Sequence, residues 1–140
     1  MSAVSYAARP ATKAKSRMIT VVIVEDYAPL CALYERVLAG EPTIHCLAKA
    51  ASGKEALRMV RKLRPDVILL DISLPDANGL HVARRIKTLC PAVQIVMLGG
   101  DGSEDYRLAA RASGASGYLR KEQTIEQLVP LIFDLAGQSN

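Results

Sequence analysis

Residues 18–40 read MITVVIVEDYAPLCALYERVLAG, and the fold turns on how that stretch divides. The first seven residues, to Val24, have the unbroken aliphatic character of a strand buried on both faces. Two adjacent carboxylates, Glu25 and Asp26, then interrupt it. From Ala28 onward the apolar positions recur at helical spacing. Leu30, Leu33, Tyr34, Val37 and Leu38 fall on one face, with Pro29 in the first turn and Gly40 just past the end, as helix boundaries prefer.

The strand–helix unit then repeats. TIHCLAK (43–49) reads as a weaker second strand, and SGKEALRMVRKLRP (52–65) as a helix opening on a capping box, Ser52 with Glu55 three residues on. DVILL (66–70) is a third strand and GLHVARRIKTL (79–89) a third helix. AVQIVML (92–98), EDYRLAARAS (104–113), SGYLR (116–120) and TIEQLVPLIFDLA (124–136) complete the series. Pro130 falls in the second turn of the last helix and is expected to loosen or kink it. Five strands alternating with five helices predict an α/β fold with a parallel sheet covered on both faces. Ligands of such sheets bind outside the carboxyl ends of the strands, which makes those ends the residues of interest.

Composition narrows the function. The 140 residues fit one domain with a sizeable core. The formal charge of +4 is a property of the N-terminus: Arg9, Lys13, Lys15 and Arg17 lie in residues 1–17, which contain no acid, leaving 14 bases against 14 acids in the remainder. A neutral body argues against a broad phosphate-binding face for nucleic acid. The Ala/Ser-rich basic segment 1–17 reads as a disordered arm, a composition it shares with transit peptides. No apolar run is long enough to span a bilayer. Cys31, Cys46 and Cys90 are widely separated and form no CxxC pair, so they read as structural thiols in a reducing compartment. His45 and His81 lack zinc-ligand spacing with them.

At the strand ends a constellation emerges. Strand one ends in Glu25 and Asp26, strand three in Asp71, strand four in Gly99 and Gly100, and Lys121 follows strand five. Three carboxylates brought together repel unless a cation offsets them. Mg²⁺ takes one or two carboxylates, a carbonyl and waters. An Asp beside Mg²⁺ and a lysine can act as nucleophile toward a phosphoryl group. Read without that convergence, Glu25–Asp26 is a helix N-terminal acid pair, Lys121 a neutralising charge and Tyr118 plain core. Asp76 and Asn78 read as turn and cap formers rather than ligands. Asp101 is a loop acid near the presumed site.

With VEDY, LLDISLPDANGL, the glycine pair after strand four and SGYLRK in order on these elements, the chain resembles the receiver domain of two-component response regulators. The resemblance covers residues 19 to about 136, within a receiver domain taken as 18–140. It implies a flavodoxin-like, doubly wound five-stranded parallel sheet of order 2-1-3-4-5. It implies Asp71 as phospho-acceptor, Mg²⁺ held by Glu25, Asp26, Asp71 and the backbone carbonyl of Ser73, and Lys121 as the contact to the phosphoryl group. Tyr118 matches the aromatic switch residue of the family, which moves inward upon phosphorylation. Pro75 and Gly79 match turn positions. The partners implied are a sensor histidine kinase or phosphotransfer protein and a downstream protein met by the last two helices and fifth strand, with a homodimer compatible. The resemblance implies a cytoplasmic signalling protein rather than an enzyme, bound to no membrane.

One position departs from the family. Where it places Ser or Thr at the end of strand four, this chain has Gly99, with no hydroxyl to bind the phosphoryl group. Phosphorylation of Asp71 is expected to survive that change; coupling to Tyr118 is the step it affects. The loop GGDGS (99–103) is expected to be unusually mobile. Two other readings follow. The chain is an atypical receiver binding a protein partner regardless of phosphorylation, or the regulatory half of a helix-turn-helix transcription factor that meets nucleic acid through a further C-terminal domain. A haloacid dehalogenase-type phosphatase would need a second Asp where Ser73 stands, and its nucleophile after the first strand. A P-loop GxxxxGK[ST] is absent, and no flavodoxin-type phosphate loop is evident.

Overall fold

The computed structural model describes residues 17–100 and 104–138. The basic arm, apart from Arg17, and the expected mobility of the GGDGS loop with its Asp101 lie outside the described residues or depend on them. Five strands, β1 (Ile19–Val24), β2 (Ile44–Ala50), β3 (Val67–Asp71), β4 (Gln94–Gly99) and β5 (Gly117–Arg120), form one parallel sheet in the order β2-β1-β3-β4-β5. Between them run α1 (Ala28–Ala39), α2 (Gly53–Leu63), α3 (Gly79–Leu89) and α4 (Glu104–Ala112), and α5 (Thr124–Gln138) closes the chain.

Strand alternation divides the core in two. Val22, Val24, Ile68, Leu70, Ile95 and Met97 face α2 and α3, where Ala56, Val60, Val82 and Ile86 meet them. Val21, Ile23, Val67, Leu69, Val96 and Leu98 face the other way, onto Tyr34, Leu38, Leu128 and Ile132 of α1 and α5. Both faces of the sheet are buried, which is why its strands read as continuous aliphatic runs. Each such buried Leu or Ile contributes about 1.5–3 kcal/mol.

The helix ends follow local chemistry. Ser52 caps α2 by accepting the N–H of Glu55 at 3.2 Å, while the Glu55 carboxylate accepts the N–H of Ala51 at 2.8 Å. The capping box therefore closes one residue further upstream than the usual pattern. The helix ends on Arg64, whose φ of 47° puts a non-glycine residue in the left-handed region that a C-terminal glycine usually occupies. Asn78 caps α3 through Leu80 N–H at 2.7 Å. In α1 the buried residues are Cys31, Tyr34 and Leu38, whereas Leu33 is only half-buried. The expected disturbance at Pro130 stops short of a break, because α5 runs 15 residues through it. The ring lies on the exposed side while Leu128, Ile132 and Leu135 anchor the opposite face in the core, so packing outweighs one lost backbone bond. Cys31 and Cys90 are buried and Cys46 half-buried, all as free thiols. Among the described residues no helix is long and apolar enough to cross a membrane.

Candidate functional site

The carboxyl ends of β1 and β3 lie side by side in the sheet, and this adjacency brings the acids together. Glu25 follows β1 directly, its N–H held by the carbonyl of Ala50 at 3.0 Å. Asp71 is the last residue of β3 and only 2% exposed. One carboxylate oxygen from each of Glu25, Asp26 and Asp71 lies within 4.8 Å of the others. Glu25 and Asp71 are buried, whereas Asp26 is exposed and opens the cluster to solvent.

Lys121 enters from the far side. It begins a short 3₁₀ turn, Lys121–Gln123, directly after β5. Its Nζ donates to Asp71 Oδ2 at 3.2 Å and sits 3.4 Å from Glu25 Oε1. Burial pulls the ammonium's proton affinity down, yet the charges of Asp71 and Glu25 hold it above its ordinary value. The remaining oxygens accept backbone donors, Asp71 Oδ1 from Ser73 N–H at 3.1 Å and Glu25 Oε2 from Tyr27 N–H at 3.2 Å. Burial pushes the Glu25 carboxyl up to about 7; the Tyr27 N–H opposes this and the charge of Asp71 adds to it.

One ammonium faces three acids, so negative charge is in excess. The donors are all oxygens, and Glu25 Oε1 is buried without a hydrogen-bond partner despite its ion-pair contact with Lys121. A hard divalent cation that keeps waters on its open side fits this set.

The loop after β3 is drawn tight beneath the site. Gly79 donates to the carbonyl of Ile72 at 2.6 Å. A Cβ on Gly79 would meet the Asp71 carbonyl oxygen and stand 2.7 Å from Ile72 Cα, so only glycine permits this approach. Ser73, on the same loop, is exposed. Asp76 is a cap former, as its residue type suggests, but for a distant helix. Its carboxylate accepts Gly53 N–H at 2.8 Å and Lys54 N–H at 3.1 Å at the start of α2. These backbone donors hold its proton affinity below the ordinary range. Spacing along the chain gives no sign of that 23-residue contact.

Gly99 and Tyr118 are in direct apposition. Met97 pairs with Tyr118 across β4 and β5, which places residues 97, 99 and 118 on one face. The tyrosine ring packs half-buried against the core on the α2–α3 side. A Cβ on Gly99 would lie 2.9 Å from Tyr118 Cζ and 3.0 Å from Cε1, and closer still to the hydroxyl. On α4, the Arg107 guanidinium lies 5.8 Å from the ring centroid, within cation–π reach.

The chain as a whole has relatives among known proteins. The profile described as "Response regulator receiver domain" fits residues 21–133. The chain belongs to the response regulator receiver family. The transcriptional regulatory protein DegU of Brevibacillus brevis is 34% identical to this receiver over 114 residues, 81% of this chain and 48% of that protein. The DNA-binding transcriptional activator DevR/DosR of Mycobacterium tuberculosis is 32% identical over 87% of this chain and 57% of its own length. The chain thus spans about half the length of these curated relatives. A protein-glutamate methylesterase of Methanospirillum hungatei JF-1 also matches, but over only 30% of its length. Among solved structures, a LuxR-family two-component response regulator from Aurantimonas sp. SI85-9A1 superposes with a TM-score of 0.82 at 27% identity over 86% of both chains. Receivers are signalling domains, and the sheet order and helix count agree with the flavodoxin-like expectation.

Proposed function

We propose that this receiver accepts a phosphoryl group on Asp71, with Mg²⁺ held by Glu25, Asp26, Asp71 and the backbone carbonyl of Ser73. The observation that carries the reading is the buried Asp71 carboxylate, clustered with Glu25 and Asp26 and 3.2 Å from the Lys121 ammonium. When bound, the cation supplies charge that offsets the phosphoryl oxygens. A carboxylate oxygen of Asp71 attacks phosphorus of a phosphohistidine on a sensor histidine kinase or phosphotransfer protein. The O–P bond forms as the P–N bond breaks, and the imidazole leaves with the electron pair. The Ser73 N–H orients Asp71, and Lys121 meets the incoming phosphoryl oxygens. Within this reading residues 18–140 are the folded unit and 1–17 an arm, and the protein acts in the cytoplasm as an acceptor rather than an enzyme.

Output passes through α4, β5 and α5, where a downstream protein or a second copy docks. Because the curated relatives named as transcriptional regulators are about twice as long, this receiver serves equally as the regulatory part of a DNA-binding protein. A second reading, a binding module indifferent to phosphorylation, is favoured by Gly99. The test is intact mass after incubation with acetyl phosphate and Mg²⁺. A gain of one phosphoryl group in wild type, absent in Asp71→Asn and in EDTA, is expected. No gain in wild type overturns the acceptor role.

A further inference from the structure

We infer that Tyr118 rests on Gly99 before any phosphoryl group arrives, so that the groove between α4 and β5 keeps one shape in both states of Asp71. The inference concerns regulation of the same site and so rests on the reading of Asp71 as acceptor.

Glycine at 99 leaves a hollow at the end of β4, and the Tyr118 ring fills it. Any Cβ at residue 99 would overlap the ring at 2.9–3.0 Å, closer than real Cβ atoms approach a neighbour. The obstructing group is the far end of a side chain and not backbone, so a larger residue at 99 displaces the ring without breaking the sheet. The Arg107 guanidinium of α4 also lies over this ring, 5.8 Å from its centroid.

Tyr118 is also a wall of the groove. With Arg107, Leu108, Arg111, Ala115 and Gly117 it lines an open cavity of about 350 Å³. The position of the ring therefore sets the shape of a surface that a partner would meet. Residue 99, at the end of β4, faces the ring and carries no hydroxyl or other side-chain group through which chemistry at Asp71 could pull on it. A ring already seated has nowhere further to move in that direction.

The test is NMR on the full chain with ¹³C-labelled tyrosine rings, Tyr118 being assigned by the loss of its signals in Tyr118→Phe. Nuclear Overhauser contacts between the Tyr118 ring and Gly99 Hα are recorded in EDTA, in Mg²⁺, and in Mg²⁺ with acetyl phosphate, with intact mass taken on each sample. The contact is expected in all three, and its loss is expected in Gly99→Ser, whose backbone spectrum otherwise persists. A contact that is absent without phosphate, or that survives in Gly99→Ser, overturns the inference. If mass shows no phosphoryl group, the acceptor role fails, and the contact in the unphosphorylated sample still decides whether the ring is seated.

Discussion

Lys121 and Asp71, 50 residues apart in sequence, meet at 3.2 Å between Nζ and Oδ2, and the same ammonium stands 3.4 Å from Glu25. A single cation thus serves two carboxylates whose side chains are 1% and 3% exposed, while its own side chain is 30% exposed. The site is built from charges that depend on one another.

Removing the cation makes that dependence measurable. Lys121→Met leaves two buried like charges facing each other, a costly arrangement. Solvent reaches the lysine, which reduces the loss, so about 1–2 kcal/mol is expected at pH 8 in EDTA. Mg²⁺ should restore part of it by supplying the missing positive charge. Urea denaturation with and without Mg²⁺ measures both effects, and an equal loss under the two conditions would contradict the shared-charge account.

Glu25 sets a pH dependence of opposite sense to that of an ordinary surface carboxylate. Its folded proton affinity, raised from 4.5 to about 7, means the folded chain binds this proton more tightly than the unfolded chain. Its contribution to stability is fully present below about pH 4.5 and lost as pH rises through about 7, an effect on the order of 3 kcal/mol. Metal competes with that proton, so Mg²⁺ should stabilise more at pH 8 than at pH 5. Denaturation midpoints in EDTA across this range test the slope, which Glu25→Gln should flatten.

Gly79 bears on the same carboxylate from below. Gly79→Ala forces a Cβ against the Asp71 carbonyl and within 2.7 Å of Ile72 Cα, where only backbone can give way. A loss of about 1–3 kcal/mol is expected, as for overpacked cores. Thermal unfolding reads it, and phosphorylation by acetyl phosphate should slow in the same variant because the loop carrying Ser73 shifts.

Asp76 ties the α3 entry loop to the start of α2 through two backbone N–H groups. Asp76→Ala should lower the thermal midpoint, and Asp76→Asn less so, since an amide oxygen still accepts. The wild-type advantage should fade as pH falls through the depressed proton affinity of this carboxylate, below 3.8. A midpoint difference independent of acid pH would argue that packing, and not charge, is lost.

Much of this was legible in the sequence because the signals are periodic or local. The aliphatic runs and the Ser52 and Asn78 caps sit within a few residues of what they act on, and the acids mark the ends of β1 and β3. The sheet then does the gathering: β1 beside β3 brings Glu25 to Asp71. What could not be read depends on register between strands distant in sequence. The contact of Tyr118 with Gly99 follows from the pairing of Met97 with Tyr118, which no local pattern encodes. The reach of Asp76 to α2 is likewise a matter of tertiary placement. That α5 runs on through Pro130 was also not legible, because the core packing of the helix decides whether a proline interrupts it.

The strand that ends in Asp71 has neighbours on both edges and no residue open to water. Such a strand belongs to the part of a protein that opens last, and its amides should be among the slowest to exchange with deuterium. The proposed acceptor is therefore mounted at the end of a central strand that is buried along its whole length. In the proposed role, a change at Asp71 would pass first to the groups around it, the backbone of Ser73 and the ammonium of Lys121, which hold its two oxygens.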